Sequence, residues 1–185
     1  MATRLLYKFK RKKMKNIELK NQPCYDKDGN FLGWFSRSVA VAGFIFCKDK
    51  NGVWHILGSE RGKGTPDFQG YWNCVCGYCE FNIDLKENLI KECKEELGID
   101  VDYSMIEFVG YEDSPTANKQ NITLRFAVVY NDKTIDDFKF SHEFNEEDEV
   151  GDIRWIPLSE VEKYKWAFGH GERIMEIASK YKLQS

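Results

Sequence analysis

Gly77–Ile99 reads GYCEFNIDLKENLIKECKEELGI, and its second half decides the fold. From Asp84 to Leu97 there is no Gly or Pro. Asp84 can N-cap the first turn with Glu87 three residues on, and Gly98 stands where a helix-terminating glycine belongs. Leu85, Leu89, Cys93 and Leu97 recur every fourth residue, an apolar stripe that buries against a sheet. Glu92, Glu95 and Glu96 flank that stripe within about 100° of circumference, so three carboxylates share one face.

Working outward, strand patterns flank the helix on both sides. Ser38 to Cys47 is rich in Val, Ala, Ile and Phe, and Asp49-Lys50-Asn51-Gly52 after it is a hairpin signal leading into a partner strand, Val53 to Ser59. Residues 60 to 70 read as a loop through Gly62, Gly64, Pro66 and Gly70, and Tyr71 to Tyr78 resumes a strand. Further strands are expected at Ile106 to Tyr111, Ile122 to Tyr130 and Val150 to Ile156. Ser159 with Glu162 opens a final helical region reaching about Lys182. The stretch from Asn21 to Gly33 reads as turn-rich connection. Mixed strands with two helices imply a layered α/β or α+β domain.

The chain has 185 residues, room for one domain of ~150 residues and a short appendage. We divide it into a basic N-terminal extension, residues 1–33, and one domain, residues 34–185. Hydrophobic residues make up 42% and charged residues 31%, which excludes low-complexity and collagen-like chains. The longest apolar run, Val39 to Cys47, is far short of the ~20 residues of a bilayer span, so no membrane partner is expected. Net charge is −3, but residues 1–20 carry eight basic side chains against Glu18 alone, a surplus of +7 that leaves −10 for the remainder. That balance gives no argument for a nucleic-acid partner. The basic run, with only Tyr7 and Phe9 interleaved, reads as a solvating tail. Six cysteines without a secretory leader pattern read as reduced thiols of a cytoplasmic protein.

A face of three glutamates has two readings. One is a solvated helix surface, since Lys91 and Lys94 intervene and like-charge repulsion at the surface is small. The other is a divalent cation site, because grouped carboxylate oxygens are what Mg²⁺ or Mn²⁺ takes.

Gly77–Ile99 resembles the Nudix box, G-x5-E-x7-R-E-U-x-E-E-x-G-U with U aliphatic, without a gap. Gly77, Glu92, Glu95, Glu96, Gly98 and Ile99 match, Cys93 fills an apolar position, and Glu80 stands where many members carry Glu. Two positions depart: Ile83 replaces the first glutamate and Lys91 replaces the arginine, the pair taken in the family to brace the loop against the helix. Gly70-Tyr71-Trp72 and Ile153-Arg154-Trp155-Ile156-Pro157-Leu158 extend the similarity over about Arg37 to Trp166. The resemblance implies a Nudix-like α/β/α sandwich with a mixed sheet between helices. It also implies a Mg²⁺-dependent (or Mn²⁺-dependent) pyrophosphohydrolase acting on a nucleoside diphosphate linked to another moiety. Glu92, Glu95 and Glu96 are then the candidate catalytic and metal-holding residues, with Glu80 a further ligand. The alternative is a catalytically weak nucleotide-binding or sensor module on the same scaffold. The implied partner is a small-molecule nucleotide, capped RNA is left open among the substrates, and a homodimer is common in the family.

Around that core, Arg37, Arg61 and Gly77 are the candidate substrate-binding positions, the arginines as bidentate phosphate clamps. Phe35, Phe68 and Tyr71 are candidates to stack on a base, and Trp72 is assigned to the core. The general base is left among Glu96 and the acidic stretch Glu143, Glu146, Glu147 and Glu149. Cys74, Cys76 and Cys79 with Cys93 suggest a zinc site, but a second C-x2-C knuckle is missing. GSERGKGT at 58–65 lacks the glycine spacing and following helix of a P-loop. His170 reads as a solvated loop histidine.

Overall fold

The computed structural model describes residues 21–116, 120–141 and 148–183 and divides the chain after Arg37 into two units. In the first, β1 (Gln22–Tyr25) and β2 (Phe31–Phe35) form an antiparallel hairpin where the sequence suggested only turns. Asp26 closes its turn by accepting the N–H groups of Asp28 and Asn30, each at 2.8 Å. Strands of four and five residues carry too little alternation to stand out from their turn.

The second unit is a mixed sheet with a helix on each face, as the sequence leads one to expect. Its elements are β3 (Ser38–Lys48), β4 (Trp54–Arg61), β5 (Trp72–Asn73), β6 (Cys76–Tyr78), α1 (Leu85–Leu97), β7 (Glu107–Glu112), β8 (Asn121–Thr134), β9 (Val150–Pro157) and α2 (His170–Lys180). The main order is β5-β4-β3-β8-β7, with β6 on β3 and β9 on β4; β3 and β8 run parallel and the other pairs antiparallel. The apolar run of β3 is buried from Ala40 to Cys47, because both faces of a central strand are covered. Its residues sort by parity: Val41, Ile45 and Cys47 join Leu89, Cys93 and Leu97 of α1, while Ala42, Phe44 and Phe46 join Ile174, Ile177 and Ala178 of α2. Between Val41 and Ile45, Gly43 leaves the space α1 needs, since a Cβ there would lie 2.7 Å from Leu89 Cδ1.

Both caps of α1 form as read. Asp84 accepts from the N–H groups of Lys86 and Glu87, each at 2.9 Å, Glu87 accepts the Asp84 N–H, and Gly98 takes the left-handed conformation at φ 70°. One member of the stripe departs: Leu85, in the first turn, is exposed, and the buried polar residue Asn88 takes its place.

Two elements differ from expectation. The strand expected over Tyr71–Tyr78 is broken at Cys74 and Val75. β3 and β4 pair only through Phe46–Lys48 and Trp54–Ile56; beyond that β5 continues on β4 while β6 continues on β3. Residues 72–78 thus bridge two diverging strands, with Val75 accepting the Gly43 N–H at 2.9 Å. The helical region expected from Ser159 is also interrupted. A 3-10 segment, Leu158–Lys163, ends where Lys165 accepts the Trp72 N–H at 2.8 Å, and left-handed Phe168 and Gly169 precede the start of α2 at His170. No helix of the described residues is long and apolar enough to cross a membrane.

Candidate active site

The solvent-flanking side of α1 meets the bridge at its last residues. A Cβ on Gly77 would lie 2.2 Å from Glu92 Cδ, so the Glu92 carboxylate rests against the bare backbone of Gly77. That contact accounts physically for a glycine fifteen residues before the glutamate. Asn88, one turn earlier, donates to Tyr78 O at 3.3 Å and to Glu92 Oε1 at 3.4 Å, and accepts the Glu80 N–H at 2.8 Å. A single buried amide therefore fastens the loop to the helix and orients Glu92. Sequence reasoning missed it, because an Asn beside an apolar stripe has no distinguishing pattern.

Burial pushes the Glu92 carboxyl up to about 7, with the charges of Glu95 and Glu80 adding and Lys91 opposing. Burial likewise holds Glu96 well above the carboxylate range, Glu92 and Glu149 adding, against a hydrogen bond from the Cys76 N–H and the charge of Arg61. Glu96 Oε2 is shut off from solvent and has no hydrogen-bond partner among the described residues. Two carboxylates thus stand near enough for Glu92 to raise Glu96, and one oxygen of Glu96 is left unanswered. The other two candidates are answered: Lys91 Nζ lies 2.5 Å from Glu95 Oε2 and 3.1 Å from Glu80 Oε1.

The donor chemistry of Glu92 and Glu96, hard oxygen in a site of mutual repulsion, fits Mg²⁺ or Mn²⁺. Among the described residues, however, no three His, Cys, Asp or Glu side chains converge closely enough to hold a metal. Glu92 and Glu96 are therefore the pair that could hold a cation, while Glu95 and Glu80 are closed on Lys91. The cysteine reading dissolves in the same comparison, since Cys74 packs with the α2-side cluster and Cys93 with the α1-side cluster.

Arg61 ends β4 beside this pair. Its guanidinium donates to Asp67 Oδ1 at 2.7 Å and to Asp67 O at 3.1 Å, and its Cζ lies 4.9 Å from the ring centroid of Phe168. Phe68 meets Tyr71 at 5.5 Å and Phe168 at 5.0 Å between centroids, so three half-exposed rings form a rim around the arginine. Phe68 and Tyr71 were legible as candidates; Phe168 was not, because the expected continuous helix hid its left-handed turn at φ 56°. The loop after β4 is tied to the segment before β9 by Gly62 N–H donating to Glu149 O at 2.7 Å. Of the acidic stretch, Glu149 acts on Glu96, whereas Glu143, Glu146 and Glu147 lie outside the described residues. Arg37 and Phe35 belong to the N-terminal unit.

His170 is a correction. It is buried rather than solvated, its Nδ1 accepts the Cys74 N–H at 3.0 Å, and its ring packs against Phe44 and Phe168. Burial, with Arg125 and Arg61 adding, pushes it down to about 3, so the ring is neutral with its proton on Nε2.

Comparisons with known proteins agree with this architecture. A family model described as NUDIX domain matches residues 36–176. No curated protein matches the sequence. Among solved structures, a MutT/nudix family protein from Enterococcus faecalis has TM-score 0.64 at 17% identity, over 79% of this chain and 62% of that one. The NUDIX domain of Shewanella oneidensis NrtR, complexed with ADP ribose, has TM-score 0.64 at 17% identity, over 85% of this chain and 94% of that one. A bifunctional NMN adenylyltransferase/ADP ribose pyrophosphatase from Francisella tularensis, complexed with AMP and a Mn ion, has TM-score 0.61 at 19% identity, over 79% of this chain. The chain spans under two thirds of the Enterococcus protein and under half of the Francisella one.

Proposed function

The chain belongs to the NUDIX domain family, and from that premise we propose that it is a divalent-cation-dependent pyrophosphohydrolase of a nucleoside diphosphate linked to another moiety. The observation that carries this reading is the half-buried pair Glu92 and Glu96, with Glu96 Oε2 shut off from solvent and unanswered among the described residues, beside a guanidinium and an aromatic rim. Glu92 and Glu96 would hold Mg²⁺ or Mn²⁺, which when bound neutralises phosphoryl oxygens and acidifies an attacking water. Glu95 and Glu80 belong to the same carboxylate cluster but are paired with Lys91 rather than open to the ion.

The chain's own residues supply the rest. Arg61, on leaving Asp67, can present its planar fork to two phosphate oxygens. Phe68, Tyr71 and Phe168 offer ring faces to a base, a contact on the order of 1–3 kcal/mol per base. Glu149 and Glu96 are the candidates within the described residues to accept a proton from the attacking water. Compounds with the chemistry of ADP-ribose lead the candidate substrates, because the Shewanella NUDIX domain is complexed with ADP ribose and the Francisella enzyme is named as its pyrophosphatase. The six free cysteines support a cytoplasmic location as part of this reading, and a homodimer, common in the family, is its candidate assembly.

A second reading, a nucleotide-binding module with slow turnover, is favoured by one observation: Lys91 closes Glu95 and Glu80. The experiment that separates them is nucleotide release from ADP-ribose, nucleotide sugars, dinucleoside polyphosphates, nucleoside triphosphates and capped RNA with Mg²⁺, Mn²⁺ or EDTA. Metal-dependent cleavage that Glu96→Gln abolishes supports the hydrolase. Full activity in Glu96→Gln refutes the site, and thermal stabilisation by one compound without turnover favours the binding module.

A further inference from the structure

Lys91 stands where the box has arginine, and Ile83 where it has the glutamate expected to pair with that arginine. With an apolar, half-buried Ile83, no carboxylate at that position draws the cation toward the loop. The ammonium instead reaches two carboxylates from different elements, Glu95 one turn on in α1 at 2.5 Å and Glu80 in the preceding loop at 3.1 Å. An ammonium can do this because its three donors point in separate directions, whereas a guanidinium fork favours one coplanar carboxylate.

We infer that Lys91 is a tethered cation that occupies the Glu80–Glu95 half of the carboxylate cluster, so that the resting protein takes a divalent ion only at Glu92 and Glu96. This rests on the metal reading proposed above and deepens it. The carboxylates divide cleanly. Glu80 and Glu95 share one ammonium, while Glu92 accepts a long amide contact at 3.4 Å from Asn88 and Glu96 keeps a buried oxygen with no partner among the described residues. An inorganic cation arriving at the second pair meets, among the described residues, no ammonium paired with either carboxyl group. At the first pair it must displace a covalently attached competitor whose effective concentration is fixed by the chain.

The test counts ions rather than turnover. Mn²⁺ binding to the full chain is measured by isothermal titration and by the electron paramagnetic resonance signal of free Mn²⁺, for the wild type, Lys91→Gln, Glu95→Gln and the double variant. The wild type is expected to bind one ion, and Lys91→Gln to bind a second or to hold Mn²⁺ roughly tenfold more tightly, the scale of two partly exposed ion pairs. Glu95→Gln is expected to leave wild-type affinity within about twofold and to cancel the gain in the double variant. Identical stoichiometry and affinity in Lys91→Gln would overturn the inference. So would a tenfold loss in Glu95→Gln alone, a readout that stands even if Lys91→Gln does not fold. Absence of Mn²⁺ binding in the wild type counts instead against the metal reading itself, and the comparison of Lys91→Gln with wild type still decides the role of Lys91.

Discussion

Replacing His170 by Asn should change how stability responds to acid far more than it changes stability at neutral pH. The imidazole is buried, pushed down to about 3 in the fold, against roughly 6.5 in an unfolded chain. Between those values the unfolded state binds the proton and the folded state does not. The stability due to neutral His170 is thus fully present above about pH 6.5 and is lost as pH falls toward 3. At ~1.4 kcal/mol per pH unit, lowering the pH from 6.5 to 4.5 removes about 3 kcal/mol, a large share of a typical domain's stability. Glu92 and Glu96, raised by burial, respond in the opposite sense over part of this range, but equally in both proteins, so the difference between wild type and variant isolates the histidine. Asn is the right substitute because its Oδ1 can still accept the Cys74 N–H that Nδ1 accepts at 3.0 Å. Denaturant unfolding at pH 7.5 and at pH 4.5 measures the effect. The variant should be less stable at pH 7.5, through lost contact with Phe44 and Phe168, and should close or reverse that gap at pH 4.5. A gap unchanged to within about 1 kcal/mol would refute the argument that a buried, neutral imidazole sits there.

Two further substitutions address the carboxylate pair and the arginine. Gly77→Ala places a methyl group 2.2 Å from Glu92 Cδ, the mobile end of a side chain, so the melting temperature should move little while Mn²⁺ affinity and turnover fall, the latter about 100-fold. Retained turnover would mean that Glu92 is not required in that position. Arg61→Lys keeps the charge but loses the fork and the ring contact with Phe168, and should raise KM about tenfold at nearly constant kcat. A fall in kcat with KM unchanged would place Arg61 in the transition state instead.

The α1 helix was legible because everything that defines it is local: a capping box at Asp84 and Glu87, a glycine at 98, and an apolar repeat. β3 was legible from its uninterrupted apolar run. The break in Tyr71–Tyr78 was not, because it depends on β3 and β4 diverging, a tertiary event with no local signature. The interruption before α2 has the same origin, an edge hydrogen bond from Trp72 to Lys165 that outweighs a helical propensity. At the site, the spacing of the glutamates was visible while their environments were not. Nothing in the order Lys91, Glu92, Glu95, Glu96 says that one of the three glutamates is bound by the lysine, one shares an amide contact and one is left unanswered.

The bridging segment explains why these separate features form one device. In four consecutive residues the backbone serves both faces of the sheet: Cys74 N–H goes to His170 on the α2 side, Val75 O to the central strand at Gly43, Cys76 N–H to Glu96 on the α1 side, and bare Gly77 to Glu92. A continuous strand would have spent those groups on ladder pairing, as strands do. Diverging β3 and β4 leave the groups of Cys74 and Val75 free, and β6, paired only with β3 among the described strands, keeps the Cys76 N–H for Glu96, so the break that defeats a strand reading also supplies a donor to the buried imidazole. The left-handed turn at Phe168 and Gly169 then carries His170 and the Phe168 ring back over Arg61. The two carboxylates and His170 are accordingly held by one short segment, with the guanidinium and the aromatic rim beside them. A change at Cys74–Gly77 should therefore disturb the acid pair and the histidine together rather than either alone.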